Sequence, residues 1–150
     1  MWGAMGPRVR TLPATRRREQ SPTEELANSL SHGLALVVAL VGGPYLIVQA
    51  VRRADAVFVV GTSLFCVTIV ALYLASALYH ALPAGRAKRV LRVIDHSSIF
   101  LLIAGSYTPF TLGALRGPWG WTLLSLVWAI AGTGIALEFL FGKKVHKIAV

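Results

Sequence analysis

AVFVVGTSLFCVTIVALYLASALYH, residues 56–80, decides how this chain must fold. From Ala56 to Tyr79 there is no Asp, Glu, Lys, Arg or His, and the run closes on Ser76-Ala77-Leu78-Tyr79-His80. A helix needs about 20 apolar residues to cross the hydrocarbon core of a bilayer, and this stretch supplies them without a break. Ser76 and His80 are four apart, so a helix stacks them on one face. Asp95 follows after a short basic segment. A hydroxyl and an imidazole at the end of a charge-free run, with a carboxylate opening the next, have the character of a buried polar site.

Working outward, the charge-free run containing this stretch continues to Gly85, and Leu26–Val51, Ser97–Leu115 and Gly117–Leu137 also lack Asp, Glu, Lys and Arg. Hydrophobic residues make up 55% of the chain and mean hydropathy is +0.65, above an ordinary soluble domain. A water-soluble four-helix protein would carry charge along each outer face, which these stretches exclude. The expected fold is therefore an all-α integral membrane protein with four transmembrane helices. The expected spans are about 26–51, 56–80, 95–115 and 119–141, within a helical domain over 24–141. Residues 1–23 read as a disordered basic tail, 86–92 as a basic inner loop or short interfacial helix, and 142–150 as a basic segment. Ser21-Pro22-Thr23-Glu24-Glu25 reads as a helix start. Pro44 and Pro109 predict bends within their spans.

The net charge of +9 raises nucleic-acid binding as a possibility. The distribution of that charge argues otherwise. With the N-terminus cytoplasmic, twelve basic residues lie inside: Arg8, Arg10, Arg16, Arg17, Arg18, Arg86, Lys88, Arg89, Arg92, Lys143, Lys144 and Lys147. Three lie outside: Arg52, Arg53 and Arg116. That is the positive-inside bias of a membrane protein, with contact to anionic lipid as a further use of the charge. No interleaving of aromatic and basic residues supports a nucleic-acid partner. Cys66 is the one cysteine; lying mid-span, it reads as a small packing residue. No signal-peptide apolar core precedes Leu26.

This topology gathers the polar residues at one end. Glu25, Asn28 and His32 lie near the cytoplasmic end of span one, Ser76 and His80 at that end of span two, and Asp95 at the start of span three. Spacings of three and four place Glu25, Asn28 and His32 on one stripe. Each has a plain structural reading. Glu25 could complement a helix dipole, His80 could sit at the interface beside Tyr79, and Asp95 could cap its helix. Asn28 and His32 lie deeper and require partners. Their coincidence on one side favours a site. His96 is about 100° around the helix from Asp95 and faces elsewhere, and Glu138 reads as an interfacial acid. A histidine with a carboxylate suits Zn²⁺, which lowers the pKa of a bound water for a nearby acid to deprotonate. His80 and Asp95 alone define only a candidate polar or metal site.

Taken together, Glu25-x2-Asn28-x3-His32-Gly33, Ser76-x3-His80, Asp95-His96-Ser97-Ser98-Ile99-Phe100 and Ala104-Gly105-Ser106-Tyr107-Thr108-Pro109-Phe110 resemble the hemolysin III family. That family belongs with the progestin and adipoQ receptors and, more distantly, the alkaline ceramidases. The resemblance covers about Glu24 to Phe141. It implies a seven-helix bundle in a bacterial plasma membrane, of which this chain resembles the first part. It also implies a cytoplasmic N-terminus and a zinc site near that face. In that pattern His80 is a zinc ligand, Asp95 contacts the metal-bound water and Ser76 supports the site. Glu25, Asn28 and His32 match a first-span motif of unclear role.

The implied activity is hydrolysis of a lipid amide such as a ceramide. The family draws its two other zinc ligands from an H-x3-H motif in its last span, and His146 has no histidine four residues away on either side. The expectation is a fragment of a zinc-dependent hydrolase, inactive by itself. A membrane-active cytolysin and a non-catalytic receptor-like membrane protein are the alternatives.

Overall fold

A computed structural model describes residues 21–53 and 55–148, with side chains described up to Phe141. The tail expected over residues 1–23 lies outside the described residues as far as 20, while Pro22 and Thr23 belong to the first helix; His146 is described only in its helical backbone. Four helices follow in order: α1 Pro22–Arg53, α2 Ala56–Ala81, α3 Arg86–Leu112 and α4 Pro118–Ile148. All four are long and apolar enough to cross a membrane.

The helix starts follow from local chemistry. Ser21 Oγ accepts from the backbone N–H of Glu24 at 3.3 Å, and Glu24 Oε2 accepts from the backbone N–H of Ser21 at 2.7 Å. This reciprocal capping box stands before Pro22, which has no N–H to satisfy. Asp55 caps α2 in the same manner, its Oδ1 accepting from Phe58 N at 3.0 Å. The third helix begins earlier than hydropathy placed the span. Arg86, Lys88, Arg89 and Arg92 form its first turns, because Lys, Arg, Ala and Leu favour helix whether or not they enter a membrane. Pro44 and Pro109 lie inside unbroken α1 and α3.

Connectors this short make neighbouring helices antiparallel. The backbones pack in chain order, α1 on α2, α2 on α3 and α3 on α4. The result is an open layer with α1 and α4 at its edges. Its outer faces are apolar: Leu34, Val41 and Trp119 are 67%, 71% and 77% exposed. Water would penalise such faces, whereas lipid tails solvate them, so the fold is that of an integral membrane protein.

Small residues line the contacts. A Cβ on Gly105 would overlap the Thr68 side chain, and one on Gly61 would lie 3.0 Å from the Pro109 Cα. Close backbone approach through glycine is how membrane helices gain packing when lipid offers no hydrophobic contrast. The α3–α4 contact adds a polar tie. Trp128 Nε1 donates to Thr108 Oγ1 at 3.2 Å, while Thr108 Oγ1 donates to Ala104 O at 2.7 Å. At the end of the layer holding the α1–α2 and α3–α4 turns, Arg116 pairs with Asp55.

Candidate functional site

At the opposite end, three helices bring charged and polar side chains together in two tiers. The outer tier centres on Glu25 of α1. Its Oε2 accepts from His80 Nδ1 of α2 at 2.7 Å, and its Oε1 accepts from Lys88 Nζ of α3 at 2.8 Å. Lys88 Nζ also donates to the carbonyl of Leu82 at 3.0 Å and lies 5.2 Å from the centre of the Tyr79 ring. Tyr79 in turn tilts against His80 with ring centres 4.7 Å apart. The His80 side chain is 9% exposed and that of Glu25 22%, so both charge and ring are largely withdrawn from solvent.

The inner tier lies deeper. His32 is seven residues, two turns, from Glu25, which places it about 10 Å further along α1. Its Nδ1 shares a 2.6 Å hydrogen bond with Ser76 Oγ. The His32 ring makes edge contacts with Tyr73 at 5.9 Å and His80 at 5.8 Å. Ser29 Oγ donates to the Ala77 carbonyl at 3.3 Å, stitching α1 to α2 between the tiers. Asp95 is two turns along α3 from Lys88, at about the same depth as His32. It is 8% exposed and makes no side-chain hydrogen bond or ion pair among the described residues.

Of the residues singled out in the sequence, Glu25 and His80 meet directly, as do His32 and Ser76. No hydrogen bond joins Asp95 to either pair. The Asn28 side chain has no hydrogen-bond partner among the described residues, although burial cost led us to expect one; only its backbone carbonyl is used, by Ser31 Oγ at 3.1 Å. His96 faces away from the cluster, its Nδ1 3.3 Å from Glu138 Oε1 on α4. Glu138 is thus a helix–helix partner and not simply an interfacial acid.

Lys88, Tyr73 and Ser29 were missed. Tyr73, Ser76 and His80 share one stripe at spacings of three, four and seven, a signal that could have found Tyr73. Lys88 was absorbed into the charge-topology reading, and nothing local marks its partner 63 residues away.

Beside the inner tier, α1 and α2 border an open apolar groove of about 530 Å³. It runs from Ser31 and Tyr73 past Val38, Phe65 and Ile69 to Leu46. Among the described residues, no three His, Cys, Asp or Glu side chains come together as a metal-binding group.

The fold and this cluster define a multi-spanning integral membrane protein with a polar site at one end of its helices. The chain matches the model of the Haemolysin-III related family over residues 20–149 and belongs to that family. It is 40% identical over 121 residues to the Hemolysin-3 homolog of Bacillus subtilis strain 168, covering 81% of this chain and 57% of that protein. It is 38% identical over 131 residues to Hemolysin-3 of Bacillus cereus, covering 87% of this chain and 60% of that protein. The chain thus spans under two thirds of the length of these relatives. No solved structure matches it.

Proposed function

We propose that this chain carries the first part of a zinc-dependent membrane hydrolase acting on a lipid amide. What supports the reading is the convergence of His80, Ser76, Glu25 and His32 at one end of the layer, with a buried carboxylate, Asp95, at about the depth of the inner tier. The donor chemistry fits one corner of a zinc site. His80 offers an imidazole whose Nδ1 is engaged by a carboxylate, the common arrangement for a zinc-bound histidine. Asp95 is a buried acid with no protein partner among the described residues. A complete zinc site would need further ligands from outside the described residues.

Zinc in such sites lowers the pKa of a water to about 7. Asp95 would be the residue placed to accept a proton there. Ser76 would hydrogen-bond the substrate carbonyl while His32 holds its hydroxyl oxygen. The apolar groove beside Tyr73 suits a lipid tail. The charge asymmetry read above supports a site at the cytoplasmic face, and the family resemblance supports a bacterial plasma membrane. Reporter fusions at both ends would check that orientation.

The direct test is metal content and turnover in the protein as its host makes it. About one zinc per chain, lost in His80→Ala together with ceramide hydrolysis, is the expected result. Zinc-free wild-type protein would sink the reading.

The names of the two relatives favour a second reading, a membrane-active cytolysin. Dye release from liposomes that persists in His80→Ala would support it, and intact liposomes would count against it.

A further inference from the structure

The first-span acid Glu25 neither binds substrate nor moves a proton in the chemistry proposed above, yet both of its carboxylate oxygens are taken, one by His80 and one by Lys88. A carboxylate can only accept hydrogen bonds. At 2.7 Å from Glu25 Oε2, His80 Nδ1 must therefore carry the hydrogen and donate it. The neutral ring then presents Nε2 as its lone-pair nitrogen, and Nε2 makes no hydrogen bond among the described residues. Lys88 Nζ occupies the other carboxylate oxygen at 2.8 Å. Because Lys88 is also held by the Leu82 carbonyl at 3.0 Å, just past the C-terminus of α2, its ammonium is fixed from two sides. Three helices thus contribute one residue each to a line, Lys88 to Glu25 to His80. Tyr79 packs against both of its ends.

We infer that Glu25 is a positioning residue for His80: held by Lys88, it selects the tautomer and locks the ring so that Nε2 is the nitrogen offered to a metal ion. This rests on the reading of His80 as a metal ligand. It gives the first residue of the Glu25-x2-Asn28-x3-His32 motif a defined role. It also gives Lys88 a purpose beyond topology. A ligand held this way binds more tightly because its ring need not be reoriented, and loss of such a partner typically weakens metal binding 10–100-fold.

The test uses the protein at its natural length, stripped of metal and titrated with Zn²⁺ against a competing chelator. Glu25→Ala is expected to bind zinc about 10–100-fold more weakly than wild type. Glu25→Gln, whose amide oxygen still accepts from Nδ1, should fall between the two. Lys88→Met leaves Glu25 in place and should show a smaller loss, which keeps the idea testable if Glu25→Ala fails to fold.

A metal-free readout is the ¹⁵N spectrum of labelled histidine. His80 should be the Nδ1–H tautomer in wild type and a mixture in Glu25→Ala. Wild-type zinc affinity and an unchanged His80 tautomer in Glu25→Ala would overturn the inference while leaving His80 as a ligand. Absence of zinc binding in wild type, or full binding in His80→Ala, would overturn the ligand reading and this inference with it.

Discussion

Ser76 Oγ and His32 Nδ1 lie 2.6 Å apart across the α1–α2 interface, and Ser76 is 4% exposed. The pair is both the inner tier of the site and a bolt between two helices. Removing either partner strands the other in an apolar surround. His32→Ala and Ser76→Ala should each lower stability in detergent by about 0.6–1.7 kcal/mol, the range of polar contacts between membrane helices. A double-mutant cycle in denaturant titrations should show a coupling of about 0.6 kcal/mol; additive losses would mean the hydrogen bond contributes nothing.

Asn28 should behave differently. It sits on the same stripe of α1 but its side chain makes no hydrogen bond among the described residues. Asn28→Ala is therefore expected to change stability by less than about 0.5 kcal/mol, as substitutions away from specific contacts do. A loss as large as that of His32→Ala, measured in the same detergent, would refute this.

The Gly105–Thr68 contact leaves no room for a methyl group. Gly105→Ala should cost about 1–3 kcal/mol through overpacking. Thr68→Ala removes Oγ1 and Cγ2, but the Thr68 Cβ would still lie 2.9 Å from the new methyl. It should therefore restore only part of the loss. Melting temperatures of the two single variants and the double variant test this, and full additivity would contradict it.

Asp55 contributes to the acid limb of stability. The backbone N–H of Phe58, and after it the Arg116 guanidinium, hold its carboxyl below the usual aspartate range. An ordinary aspartate titrates at about 3.9. A depressed folded pKa contributes stability that is fully present above that value and lost as pH falls through it toward the folded pKa. Asp55→Asn, which keeps a capping oxygen but not the charge, should flatten stability against pH below about 4. The effect should be small and shrink in high salt, because the pair is exposed to solvent.

Much of this architecture was legible in the sequence because bilayer thickness sets a requirement that composition alone can meet. The charge-free runs located four helices, and Ser76-x3-His80 located one face of α2. The start of α3 was less legible. Arg86 to Arg92 look like a loop to hydropathy, yet they are strong helix formers, and the membrane boundary and the helix boundary part company there. Pairings across helices were the least legible. Lys88 finds Glu25 and His96 finds Glu138 through packing geometry that no local pattern encodes. Burial cost required partners for His32 and Asn28; His32 has one in Ser76, whereas the Asn28 side chain has no hydrogen bond among the described residues although it shares the His32 stripe.

The layered packing sets a timetable. Each helix backbone rests on the one made just before it, so each hairpin can close as soon as its second strand of helix leaves the insertion machinery. Lys88 is where α3 reaches back past α2 to α1. The Glu25 carboxylate therefore enters the membrane boundary with His80 as its first companion and gains its cation only when the third helix arrives. The Lys88–Glu25–His80 line is assembled in the order in which its three helices are translated.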